Sequence, residues 1–446
     1  MKSFALVALL AAAPYLQAND VTEAAVTARA ADTTQLKQII VFGRHAARTP
    51  VFPIPDLYMF SVLPYPSFTG SGVTSGEAVI TRNGQTNETY LGGYFRLWLT
   101  QEKLLTGNDA SDSAAVYVRA DNTPLIVNTA EAFASGLLPA APPPVQTTPT
   151  SDPLFDPIDA GVAELNGKMA VAAVNGRLGG NPQALSTAYS AELALTRRVL
   201  FNYAACIAPP PTPPGKTDVT TIPITVAAGN STTPVKLGGL EVLYFAIDPF
   251  LMEYVDGMQA SDVGWGQLDA AGISQMYRLY DVLLDLEFRT PYLARVQSSN
   301  VASHIVRSLV QRATGNAMTG ALGDPSDKVV VLVASNTNVT GLAGLFQLDW
   351  LVPGYQRDVS ALGGTLVFEL RQSQRTGEFI VRTSYVTQTM DQLRTRTPLT
   401  LAAPPLRVPV FVPGCSTQNA NFDCPLGAFV RAAESVIDPR SVDLKD

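Results

Sequence analysis

The chain has 446 residues and a formal net charge of −7, with no cluster of Lys and Arg to offset it. That balance excludes nucleic acid and anionic membrane surfaces as partners, and no apolar run is long enough to span a bilayer. Charged residues make up only 15% of the chain, against about 25% in typical soluble proteins, a composition rich in Ala, Thr and Pro that suits an exported surface glycoprotein.

Met1-Lys2 precedes an apolar run over 4–13, and Leu16-Gln17-Ala18 offers a small-residue cleavage site. This pattern predicts a signal peptide over 1–18 and a secreted mature protein. The β-branched run 38–42 predicts a buried strand. It leads directly into Arg44-His45-Ala46-Ala47-Arg48-Thr49-Pro50. A histidine at the carboxyl end of a strand, flanked by two guanidinium forks, suits in-line attack on a phosphoryl group whose oxygens the arginines hold. Asn87-Glu-Thr and Asn230-Ser-Thr are glycosylation sequons of the kind found on surface loops. Asn338-Val-Thr has the same form, but its place beside a predicted active-site strand argues against a glycan there.

A second strand is predicted over 115–118, followed at once by Arg119 and, two residues on, by Asp121. Strand alternation would put both side chains on one side. Asp121 is then a candidate acid, although its plainer reading is a turn residue or helix cap. A helical pattern runs over 129–139. Pro-rich connectors lie at 140–144 and 209–215, helical periodicity at 186–208 and 265–293, and an extended loop or edge strand at 217–234. Cys206 falls in a helical pattern and reads as a buried apolar thiol. His304, the other of the two histidines, reads as a helix-face residue. The run 329–333 predicts a third buried strand entering the polar turn Ser335-Asn336-Thr337-Asn338, and 365–370 predicts a fourth.

The Arg44-His45-x-x-Arg48-x-Pro50 spacing after a strand resembles the signature of the histidine acid phosphatases, in their phytase-like branch. The resemblance continues through the 80–96 stretch, Val116–Arg119, the 129–139 helix, Pro291–Val301, Thr337–Trp350, Gly364–Leu370 and Val410–Phe429, and so covers most of the mature chain. It implies that His45 is the phosphorylated nucleophile and that Arg44, Arg48 and Arg119 bind phosphate. It further implies a disulfide between Cys415 and Cys424 closing a C-terminal hairpin. The family reads Gly-His-Asp-Thr-Asn, or close to it, where this chain reads Ala334-Ser335-Asn336-Thr337-Asn338. Ser335 thus stands for the histidine that contacts the phosphate, and Asn336 for the aspartate that protonates the leaving oxygen. An amide cannot deliver that proton, and loss of a general acid typically slows a reaction about 10²–10⁴-fold. A second departure follows Arg119, where Asn122-Thr-Pro-Leu125 replaces the Asp and Arg that the family's acid phosphatases often carry.

The expected architecture is a three-layer α/β/α body with a mostly parallel central sheet, built from 33–140 and 325–440, and an inserted helical cap over 141–324. No metal-type Cys/His spacing or nucleotide-binding glycine loop occurs, and three arginines can supply countercharge without a metal or cofactor. The expected ligand is a small anion, with phosphorylated compounds foremost. Three functions fit: phosphomonoester hydrolysis with an impaired or substituted acid, phosphate binding without turnover, or a pocket repurposed for lyase, isomerase or cyclase chemistry on a small metabolite.

Overall fold

The computed structural model describes residues 34–68, 72, 76–204 and 207–445. The expected signal peptide and Cys206 lie outside them. Strands β1 (Thr34–Arg44), β2 (Val116–Ala120), β3 (Val145–Gln146), β4 (Val226–Ala228), β5 (Val235–Leu237), β6 (Val329–Ala334), β7 (Thr365–Ser373), β8 (Phe379–Thr387), β9 (Leu406–Pro409) and β10 (Cys424–Pro425) form two sheets. The main sheet has the order β10-β8-β7-β1-β6-β2-β3, with β9 also on β8, and β4 pairs β5 in a small hairpin.

The half that matters for function is parallel: β1 on β6, β6 on β2 and β2 on β3. Parallel strands are covered on both faces, which is why β1 and β6 read as unbroken apolar runs. Alternate residues serve opposite layers. Ile40, Phe42, Val330 and Leu332 pack toward helices Pro291–Thr314, Asn336–Phe346 and Leu426–Val436, while Ile39, Val41, Val331 and Val333 pack toward Arg82–Gln101 and Pro124–Leu137. The opposite wing, β7 to β10, is antiparallel and is tied down by the Cys415–Cys424 disulfide.

A separate core gathers the helices Ser190–Leu200, Gly238–Val255 and Ala270–Phe288. It also takes in Leu57, Phe60, Tyr65 and Phe68 from the segment after the first strand, so the chain leaving β1 is part of the cap's own packing. Val301, Ile305 and Leu309 fall within 141–324 yet pack in the body against the sheet. His304 is buried on that helix, its Nε2 2.8 Å from the Asp443 carbonyl.

Asn87 corrects the reading of its sequon. It lies inside the Arg82–Gln101 helix, 2% exposed, and its amide donates to the Leu393 carbonyl at 2.8 Å. A glycan needs that amide in solvent, so the site is closed. Asn230 is exposed in the turn before β5.

Candidate active site

Three neighbouring parallel strands end at the same level. Arg44 is opposite Ala334 and Ala120 is opposite Val333, and the next backbone N–H groups continue the ladder: His45 N donates to Ala334 O at 3.0 Å and Asp121 N to Val333 O at 3.1 Å. His45, Ser335 and Asp121 therefore line up along the carboxyl edge of the sheet. Two strand spacings separate the outer pair, roughly 10 Å of backbone. The C-terminal edge of a parallel sheet is where ligands bind in open α/β folds.

His45 is 5% exposed. Its Nδ1 lies 2.9 Å from the Ala46 carbonyl. A carbonyl can only accept, so Nδ1 carries the proton and Nε2 keeps its lone pair. Burial, and then the charges of Arg44 and Arg48, hold the imidazole pKa well below 6.5. The ring thus stays neutral and nucleophilic in acid. The turn beneath it is fixed from the neighbouring helices: Ala46 N donates to Thr129 Oγ1 at 3.2 Å, and Thr81 N to Ala47 O at 3.1 Å. Gly84 lies so close that a Cβ there would sit 2.2 Å from the Ala47 carbonyl.

The two flanking arginines are engaged differently. Arg44 donates from Nη1 to the Ser360 carbonyl, and its buried Nε has no partner among the described residues. Arg48 grips Asp248 of the cap with both Nη atoms at 2.8 and 3.0 Å, and also reaches the Tyr244 hydroxyl at 3.0 Å. Both ends of that ion pair are at most 2% exposed. Asp248 further accepts from Val51 N at 3.1 Å, which locks the segment after His45 to the cap helix.

Arg119, the third arginine expected at the anion, lies on β2, two residues before Asp121. Its guanidinium forms a forked pair with Asp152, both contacts 2.9 Å. Arg44 and Arg48 are among the charges that lower the His45 pKa. On the same strand face, Asp121 shares a hydrogen bond with Asp156. Burial raises both carboxyls. The Asp121 charge adds to this for Asp156 and takes it to about 7, while the shared hydrogen bond favours ionised Asp121, so the pair retains a proton in weak acid.

Ser335 caps the Asn336–Phe346 helix, its N–H donating to Asn338 Oδ1 at 3.1 Å and its Oγ lying 2.6 Å from the same atom. Asn336 is buried, and its amide donates to the Tyr280 hydroxyl at 2.6 Å. Leu125 packs with Ala46 and Ile80, so the departure after Arg119 puts an apolar side chain against the turn that carries His45. Sequence reasoning did not single out Asp248, Asp152, Asp156, Tyr244 or Tyr280. The available signal for Asp248 was an acid within the apolar run 245–252, since a buried charge demands a partner. No group of three or more metal-ligating side chains occurs among the described residues.

No protein-family model matches the chain. It is similar to phytase AppA of Escherichia coli, 27% identical over 89% of this chain and 91% of that protein. It also matches a glucose-1-phosphatase of Providencia rettgeri, at 25% identity over 87% and 88% of the two. Among solved structures, Hafnia alvei phytase in complex with tartrate superimposes with a TM-score of 0.81 at 28% identity, covering 92% of this chain and 99% of that one. The same phytase in complex with myo-inositol hexakis sulphate gives 0.78 at 26%, over 92% and 99%.

Proposed function

For this homologue of the phytase-like histidine acid phosphatases, we propose secretion and hydrolysis of phosphomonoesters through a phosphohistidine at His45, on esters whose leaving group needs little help from an acid. The neutral Nε2, set by the Nδ1 contact to Ala46 and by the lowered pKa, is the observation that carries the reading. It attacks phosphorus, the P–O bond to the leaving group breaks, and water then attacks the phosphohistidine to release phosphate. Arg44 and Arg48 offset the charge on the transferring group. Asn336 orients through its amide but supplies no proton. The Asp121–Asp156 pair is the source of one that we assign, with Asp121 at the same sheet edge as His45. Export is supported by the leader over 1–18 and the Cys415–Cys424 disulfide.

Rapid quench of the protein with acetyl or nitrophenyl phosphate into alkaline denaturant, followed by peptide mass spectrometry, tests the reading. A phosphate on the His45 peptide, absent in His45→Ala, is expected. An unmodified peptide during turnover would sink it. One observation favours the other readings, a phosphate-binding pseudophosphatase or a repurposed pocket: Arg48 and Arg119 are each already held by a carboxylate. No turnover of any ester would move the assignment there.

A further inference from the structure

The helix Ala270–Phe288 has a second polar face that the chemistry at His45 does not use. Its Tyr277 and Tyr280 hydroxyls meet the Asp248 carbonyl and the Asn336 amide. Arg278, Asp281 and Asp285 recur three and four residues apart and so form a separate stripe along the helix. That stripe walls a cavity of about 590 Å³, closed from the other side by Thr340, Gly344 and Ser360. Its volume is that of a small-molecule site, roughly 300–1,000 Å³. None of His45, Arg48, Asp121, Ser335 and Asn336 lines it. Four buried polar atoms on the lining have no hydrogen-bond partner among the described residues: Asp281 Oδ2, Arg289 Nη1, Thr340 Oγ1 and Ser360 Oγ. Thr340 and Ser360 are 3% and 2% exposed, and the Arg289 side chain 10%. Buried polar groups are nearly always satisfied, so four around one cavity call for something that satisfies them.

We propose that this cavity binds a neutral polyhydroxylated ligand, a sugar or sugar alcohol, whose hydroxyls bridge Asp281, Arg289, Thr340 and Ser360. The charges on the lining argue against an ionic ligand, because each arginine already has an acid. Arg177 pairs with Asp285 at 2.6 Å, Arg278 with Glu192 at 2.7 Å, Arg289 with Asp349 at 2.7 Å and Arg357 with Asp349 at 2.9 Å. Burial raises the Asp281 carboxyl to about 7, so in weak acid it is uncharged and can both donate and accept. What is left over is two hydroxyls, a carboxyl and one N–H, a mixture of donors and acceptors. A sugar hydroxyl donates and accepts at once, so adjacent hydroxyls can answer both kinds. Tyr189, partly buried, adds a ring to the same lining on which the C–H side of a sugar can pack. The site does not depend on phosphohistidine chemistry. One bond joins the two regions, since the Ser360 carbonyl accepts from Arg44.

Saturation-transfer NMR on the full chain tests the site, with maltose as the probe and cyclohexanol as a ring carrying a single hydroxyl. Maltose should bind with a Kd in the millimolar range, and cyclohexanol should show no transfer. Thr340→Val removes an unpartnered hydroxyl at nearly constant shape, so the fold should be kept. It should weaken maltose about threefold. Combined with Ser360→Ala, which leaves the carbonyl that holds Arg44, the loss should reach about tenfold. The single variant carries the test if the pair does not fold. Absence of maltose binding would mean that these groups face water alone and would overturn the proposal. So would cyclohexanol binding as well as maltose, or an affinity for maltose untouched by either variant, which would put the sugar elsewhere. Formation or absence of phosphohistidine at His45 changes none of these outcomes, so the two readings fail separately.

Discussion

Ser335 and Asn336 stand where the family it resembles carries His and Asp, and the structure says what introducing those two side chains entails. Asn336 already occupies a buried pocket against Tyr280, so Asn336→Asp is nearly isosteric and Tyr280 can donate to the new carboxyl. Ser335→His is the harder change, because Ser335 is the helix cap, and losing a cap costs about 1 kcal/mol. The double variant should gain about 10²-fold in kcat on an alkyl phosphate at pH 5. A folded variant without that gain would implicate Leu125. The Asp121–Asp156 pair permits a second check, made on the unaltered background. If its proton reaches the leaving oxygen, kcat/KM for an alkyl ester falls as pH rises through about 7. Asp156→Asn removes the carboxyl that titrates near 7, so this descending limb should move toward acid. A limb that stays in place would return Asp121 to its turn, where it accepts from Thr123 N at 3.1 Å. His45 and its two flanking arginines were legible in sequence because a strand and a short motif carry them. The partners of Arg48 and Arg119 were not, since Asp248 lies 200 residues from Arg48 and Asp152 lies 33 from Arg119. Asn87 shows the same limit: a sequon is local, and burial is tertiary.

At the scale of elements, apolar continuity located the parallel strands β1, β2 and β6 and the long strand β7, because strands covered on both faces need no polar alternation. Strands β8 to β10 escaped that reading. They are edge or near-edge strands, with Arg382, Ser384 and Arg407 among their residues. Helix Pro291–Thr314 was read with the cap for its position in the chain, yet Val301, Ile305 and Leu309 give it a face for the sheet. Helix Arg82–Gln101 packs closely on the turn that follows His45. Gly84→Ala would drive a methyl into the Ala47 carbonyl, with 2.2 Å available, so helix or turn must retreat. The expected loss is about 1–3 kcal/mol in stability, together with a fall in kcat because His45 shares that turn. Denaturant melts and initial rates measure the two effects. A variant as stable and active as the parent would show that the turn is not held from this side.

The whole molecule stores an unusual set of protons. Burial raises the carboxyls of Glu88 and Glu287, and takes Glu253 to about 8, Asp281 and Asp156 to about 7, and Asp256 and Asp358 to about 6. In the unfolded chain the same groups release their protons near their ordinary values, 3.8 for Asp and 4.5 for Glu. Between those values and the raised ones the folded state binds more protons, so stability declines as pH rises. His45 acts in the opposite sense. Its folded pKa lies below 6.5, and below that pH the unfolded chain takes up a proton that the folded ring refuses. Seven carboxyls outweigh one imidazole. The melting temperature should therefore be higher at pH 5 than at pH 8, by roughly 5 °C or more. Scanning fluorimetry across that range checks the sign, and a higher value at pH 8 would mean that these carboxyls are ionised in the folded protein.

The forked pair between Arg48 and Asp248 has a consequence for what happens after turnover. A carboxylate presents two oxygens to a guanidinium much as a phosphate does, so the cap supplies a built-in rival for the arginine that free phosphate would seek. Inorganic phosphate released by the proposed reaction would meet one arginine, Arg44, whose Nε has no partner among the described residues, and one already satisfied. The product of the proposed reaction would thus be a poor competitor for that site. A phosphatase working among accumulating phosphate would escape product inhibition without needing to discriminate against the anion, because a carboxylate of its own cap helix keeps the place taken.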